Sequence, residues 1–166
     1  MVVANRSQRA AHVPGEAGSA LQADGMKALH RADLFGWSNF NEARNLDFNS
    51  VAWVRPSGTV LVDPLELSAH DEAHLRALGG VAFIVITNSE HVRASERLAS
   101  LFGARLYGPR AEQQTFPLRC DGWLGQGDAV LPGLEVLEVH GSKTPGELAL
   151  VLEGSTLICG DVIRGQ

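Results

Sequence analysis

Three short segments carry the side chains able to do chemistry: Thr87-Asn88-Ser89-Glu90-His91, His140-Gly141-Ser142-Lys143-Thr144-Pro145-Gly146 and Gly160-Asp161. Each follows an apolar stretch that reads as a strand, and functional loops of layered α/β proteins gather past the carboxyl ends of strands. An imidazole takes and gives protons near neutral pH, and an ammonium stabilises a developing anion. His91 is therefore the strongest single candidate, although a histidine at a helix start is as readily held by local hydrogen bonds. Other groups carry less weight. His70 and His74 stand four apart on a helix, where a metal can bind, but a solvated helix face explains them better. Cys159, inside an apolar strand, reads as a buried thiol rather than a nucleophile.

The elements that position these loops are legible in the pattern of apolar residues. Phe48 to Arg55 and Thr59 to Val62 read as strands joined by the turn Pro56-Ser57-Gly58. Leu67 to Leu78 reads as a helix capped by Ser68 and stopped by Gly79-Gly80. The unbroken run Val81 to Ile86 has the mark of a strand buried on both faces. A loop over Thr87 to Glu90 then leads into a helix from His91 to Phe102, closed by Gly103. Arg105 to Tyr107 is a short strand, and 108 to 124 is irregular. Leu134 to Val139, Leu148 to Leu152 and Thr156 to Cys159 are strands, the last two around Glu153-Gly154-Ser155. The aromatic cluster Leu34 to Phe40 is expected to pack against the sheet, and the asparagines from Asn39 to Asn45 to make turns.

In that order, GTVLVDP, IVITNSEH, SKTPGELALVL and LICGD, spread between Asn45 and Ile163, resemble the metallo-β-lactamase superfamily. The resemblance implies an αββα sandwich of two mixed sheets flanked by helices, with hydrolase ancestry and a zinc site. GTVLVDP matches the early strand ending in aspartate, and IVITNSEH the threonine followed by His-x-His-x-Asp-His. SKTPGELALVL matches Gly-His-Thr-Pro-Gly and its strand, and LICGD the strand ending in the metal-bridging aspartate. Several ligand positions are changed: Asn88 stands where a histidine belongs, and Lys143 stands at the histidine of Gly-His-Thr-Pro-Gly. Glu90, His91 and Asp161 survive by position as candidate metal ligands, with His140 a weaker fourth. A single catalytic zinc takes about three protein ligands plus water, and a lysine ammonium has no lone pair to give. The resemblance thus implies a degenerate site in which no cofactor is expected, with one zinc as the alternative. An internal ion pair between Lys143 and Asp161 is expected in place of the metal charge.

The functional reading that follows is a small-molecule binding or regulatory protein of hydrolase ancestry. A remodelled hydrolase is the alternative, with catalytic residues His91 as general base, Lys143 facing the developing anion, and Asp161. A structural or oligomerising module is a third reading. Composition trims the field: 45% hydrophobic and 20% charged residues over 166 positions suit a folded domain. A net charge of −5 argues against nucleic acid as a partner, and no apolar run approaches the length that spans a bilayer. Two reduced cysteines suit the cytoplasm. Residues 1–25 read as a poorly ordered leader before the domain at 26–166. The resemblance stops soon after Asp161, so an apolar patch around Thr156 to Cys159 is expected, covered by a second copy in a homo-oligomer.

Overall fold

The computed structural model describes residues 25–162. The expected leader at 1–25 lies, but for Gly25, outside them. The chain builds β1 (Lys27–Ala28), β2 (Leu34–Asn41), β3 (Leu46–Trp53), β4 (Thr59–Val62), α1 (Ala69–Ala77), β5 (Val81–Val85), α2 (Ser95–Phe102) and β6 (Arg105–Pro109). It continues with β7 (Gly122–Leu124), β8 (Leu134–Glu138), β9 (Leu148–Leu152) and β10 (Thr156–Cys159), and 3₁₀ turns occupy Ser89–His91 and Arg110–Glu112. β1 to β7 form one sheet in sequence order, and β10-β9-β8 form a second.

Connection length decides the direction of each pairing. Tight turns join β2, β3 and β4, which run antiparallel, whereas α1 and α2 are crossovers that set β4, β5 and β6 parallel. The first sheet is therefore mixed, as expected. The second is purely antiparallel among the described residues, and between β9 and β10 the Glu153-Gly154-Ser155 turn leaves no room for a crossover. α1 and α2 both bury apolar residues, Leu75 and Leu98, against Leu61, Ile84 and Leu106 on the outer face of the first sheet. The inner face, with Trp53, Val60, Val62 and Val85, meets Leu148, Leu150 and Leu152 of β9. Among the described residues the order is thus helix, sheet, sheet.

Other departures follow from particular contacts. β2 is a full strand pairing with β3 over eight positions, so the aromatic cluster packs as part of the sheet, with Leu34 and Trp37 buried. The turn after it is made by asparagine chemistry: Asn41 Oδ1 accepts from the Arg44 amide at 3.0 Å, and Asn45 takes a positive φ of 49°. The helix expected from His91 is split, because Arg93 has φ 39°, which no helix continues. Pro109 and Leu124 pair within the stretch expected to be irregular, where β7 extends the sheet. Ser68 caps α1 as expected, accepting from the Asp71 amide at 3.1 Å.

Parallel pairing brings the carboxyl ends of β4, β5 and β6 to one edge, so Asp63, Thr87 and the Arg110–Glu112 turn come together there. The turn before β4 sets the sheet register. Gly58 has φ 115°, and a Cβ built there would lie 2.3 Å from Ala82 Cβ. Gly58→Ala therefore combines backbone strain with overpacking and is expected to destabilise the fold by about 2 kcal/mol, read by urea denaturation.

Candidate functional site

Asp63, directly after β4, also has a positive φ of 46°, which turns its carboxylate toward the end of β5. There Oδ1 accepts from the Thr87 amide at 2.7 Å and Oδ2 from the Thr87 hydroxyl at 2.6 Å. His91 Nδ1 stands 3.0 Å from the same Oδ2. Around the Asp63 carbonyl, Ser50 Oγ donates at 2.7 Å and Arg93 Nη1 at 2.8 Å. Arg93 also donates to the Asn49 carbonyl at 2.7 Å. Asp63, Thr87, Asn88 and His91 are all buried. Burying a carboxylate costs several kcal/mol unless donors surround it, and here they do.

His91 has carboxylates at both ring nitrogens. Its Nε2 lies 3.5 Å from Asp161 Oδ1 on the far side from Asp63. Burial disfavours the imidazolium, but the Asp63 hydrogen bond and charge, helped by Asp161, outweigh burial and the repulsion of Arg93. The pKa is therefore raised above its ordinary 6.5. Arg93 shifts the other way: burial lowers it, only partly offset by Asp63 and Asp161.

Asp161 is held from behind. Glu147, only 1% exposed at the start of β9, accepts the Asp161 amide at 2.6 Å on Oε1 and the Ser142 hydroxyl on Oε2. The Leu148 amide donates to the Thr87 carbonyl at 2.8 Å, joining the start of β9 to the end of β5. Gly160 fits where no side chain could, since a Cβ there would lie 2.6 Å from Thr87 Oγ1 and 3.2 Å from His91 Cε1. A second buried carboxylate, Glu112, accepts from the Ser89 amide at 3.1 Å and holds the turn that carries His91.

In front of this cluster lies a cavity of about 400 Å³ between the Val139–Lys143 segment and Asp161–Val162. The expected site residues take three different places. His140, Lys143 and Asp161 line the cavity, His91 is buried behind Asp161, and Glu90 is on an exposed rim. Lys143 Nζ reaches Glu90 Oε2 at 2.5 Å. The ion pair expected with Asp161 is thus made with Glu90, because the 3₁₀ turn puts Glu90, not Asp161, beside the lysine head. His70 is 86% exposed on α1, as a solvated face requires. Burial pushes up the thiols of Cys159 and of Cys120, the latter to about 11. Glu147, Glu112 and Arg93 were not found by sequence reasoning. Asp63 was read as the aspartate that ends the GTVLVDP strand and was given no role in the site, although its place at a strand's carboxyl end was the available signal.

The donor set can be tested against zinc. His91 Nε2 and Asp161 Oδ1 are spaced as two ligands of one ion would be. The next donors are engaged: Glu90 with Lys143, and Asn88 Oδ1 with the Glu90 amide at 3.0 Å. Among the described residues no three His, Cys, Asp or Glu side chains converge to hold a metal ion.

The model of the metallo-beta-lactamase superfamily matches residues 26–166. The chain belongs to this superfamily. Hydroxyacylglutathione hydrolase of Acidiphilium cryptum is 27% identical over 121 residues, 69% of this chain and 49% of that protein. The chain thus spans about half the length of this curated relative. Among solved structures, the DIM-1 metallo-beta-lactamase superposes with a TM-score of 0.68 at 13% identity, over 87% of this chain and 73% of its own. A beta-lactamase domain protein from Burkholderia ambifaria gives 0.63 at 16% identity, over 88% and 57%. Both likenesses concern the fold. Among the described residues no helix is long and apolar enough to cross a membrane.

A raised His91 pKa gives its proton a sign in stability. The imidazolium's contribution is fully present below pH 6.5 and is lost as pH rises through the higher folded value. Chemical denaturation from pH 5.5 to 9 is expected to show wild-type stability falling over that interval, a fall absent in His91→Gln. Losing the charged hydrogen bond should itself cost about 2 kcal/mol at the acid end.

Proposed function

We propose that this superfamily member holds a small molecule in the cavity at Lys143 and Asp161 without a zinc centre, and acts as a binding or regulatory protein rather than a metallohydrolase. The observation that carries the reading is the Lys143–Glu90 pair. A carboxylate able to complete a ligand set is neutralised by an ammonium that cannot ligate. Of the remaining candidates, His91 and Asp161 stand together and supply two donors, fewer than a catalytic zinc uses, and exposed His140 joins them in no group of three among the described residues. Positive charge that a metal would bring comes instead from Arg93 and Lys143, beside His91, whose pKa is raised.

The cavity offers a ligand an ammonium, an exposed imidazole from His140, and the partly exposed Asp161 carboxylate, between Val139 and Val162. Such a lining suits a small polar molecule with an apolar body. Hydrolysis with His91 as general base is the weaker reading. Both ring nitrogens face carboxylates, and Asp161 stands between the ring and the cavity.

Elemental analysis of protein purified without added metal, then dialysed against zinc, tests the proposal. Zinc well below one equivalent is expected, with no turnover of hydroxyacylglutathione. One or two tightly held equivalents, lost together with turnover in Asp161→Asn, would overturn it.

A further inference from the structure

The loop that carries Lys143 also carries a serine that the binding reading leaves unused. Ser142 is half-buried and lines the cavity between Gly141 and Lys143. The loop is closed at its base, where the Val139 amide donates to the Glu147 carbonyl at 2.8 Å, and Gly141 turns it with a φ of 80°. That closure brings the Ser142 hydroxyl onto Glu147 Oε2, to which it donates. Glu147 is only 1% exposed, and its other oxygen, Oε1, accepts the Asp161 backbone amide at 2.6 Å. A hydroxyl bonded to a carboxylate that a third group orients has the connectivity of an activated nucleophile. The ammonium of the next residue, Lys143, lines the same cavity. Nucleophile, base, orienting donor and a cation for a developing oxyanion thus come from one short loop and the amide that locks it.

We propose that Ser142 is an acyl acceptor: a small carboxylic ester held in the cavity transfers its acyl group to Ser142 Oγ, with Glu147 as base. The Oγ lone pair forms the bond to the ester's carbonyl carbon as the hydroxyl proton passes to Glu147 Oε2. The carbonyl π pair moves onto oxygen, and the oxyanion meets the Lys143 ammonium. An ammonium has three hydrogens, so Lys143 keeps Glu90 and still donates one to the oxyanion. When the pair returns, the bond to the leaving oxygen breaks and that oxygen takes the proton back from Glu147. The products are an ester of Ser142 and a free alcohol, and the balance needs no other reactant. The carboxylate of Asp161, engaged with His91, takes no part. This step goes beyond the binding reading and is separable from it, because zinc content and acylation of Ser142 are measured independently and each can fail alone.

Incubation of the full chain with p-nitrophenyl acetate tests the proposal. A burst of one equivalent of p-nitrophenol per chain is expected. Mass spectrometry should map the acetyl group to Ser142, and hydroxylamine should remove it, since that reagent cleaves a serine ester and spares a lysine amide. Ser142→Ala is expected to abolish the burst with unchanged far-UV circular dichroism. Glu147→Gln keeps an oxygen for the Asp161 amide but cannot take the proton, and should slow the burst by about 100-fold. Lys143→Met, at an exposed position, should slow it by about 100-fold through loss of the oxyanion donor, and it decides the matter if Glu147→Gln does not fold. A serine that only satisfied Glu147 would acetylate no faster than Ser142 of the urea-unfolded chain, and that result overturns the proposal. So do acetylation at Lys143 instead, a burst that survives Ser142→Ala, and a rate unchanged in either of the other variants when folded.

Discussion

The Asp63 carboxylate is the constraint on which the site depends. It gathers the Thr87 amide, the Thr87 hydroxyl and His91 Nδ1 within 3.0 Å, joining the ends of two parallel strands to the turn that follows the second. Without it the left-handed backbone at Asp63 would have no compensation, and His91 would lose the partner that fixes its ring. The arrangement is possible only because α1 makes β4 and β5 parallel neighbours, which sets their carboxyl ends side by side. Fold and site are thus one argument, from crossover to strand order to buried carboxylate.

From this anchor the interactions run outward in layers of decreasing burial. His91 hands the field of Asp63 to Asp161, which Glu147 holds from the second sheet. Lys143 and Glu90 close the surface. A charged chain of this kind in a low-dielectric site needs every member partnered, because one uncompensated buried charge costs more than the pair contributes. Arg93, Lys143 and His91, whose pKa is raised, stand with several carboxylates in the part of the fold where the superfamily resemblance implies zinc. Each of these carboxylates has a protein hydrogen-bond or ion-pair partner there, which is the physical basis for the zinc-free reading.

Much of the frame was legible in the sequence because local chemistry set it. The Gly58 turn, the Ser68 cap and the doubly buried Val81–Val85 strand each follow from residues adjacent in the chain. β2 was not legible: Gly36, Ser38, Asn39 and Asn41 break its apolar pattern, and only pairing with β3 makes it a strand. The late start of α2 has a similar origin, since the positive φ of Arg93 comes with bonds to the carbonyls of Asn49 and Asp63, both distant in sequence. In the site, His91, Lys143 and Asp161 were found because their residue types announce chemistry. Glu147 was not, because a glutamate opening an apolar strand looks like a surface residue until the Asp161 amide and the Ser142 hydroxyl arrive at it. The Lys143 partner was misassigned for the same reason: sequence order cannot tell which of two carboxylates a flexible side chain reaches.

The central claim is that His91 serves carboxylates and not a metal. Long-range proton–nitrogen NMR of the His91 imidazole during a zinc titration reads this directly. The account predicts two protonated, hydrogen-bonded ring nitrogens below the raised pKa, unchanged by one equivalent of zinc. Loss of the Nε2 proton with a metal-bound nitrogen shift at that equivalent would contradict it.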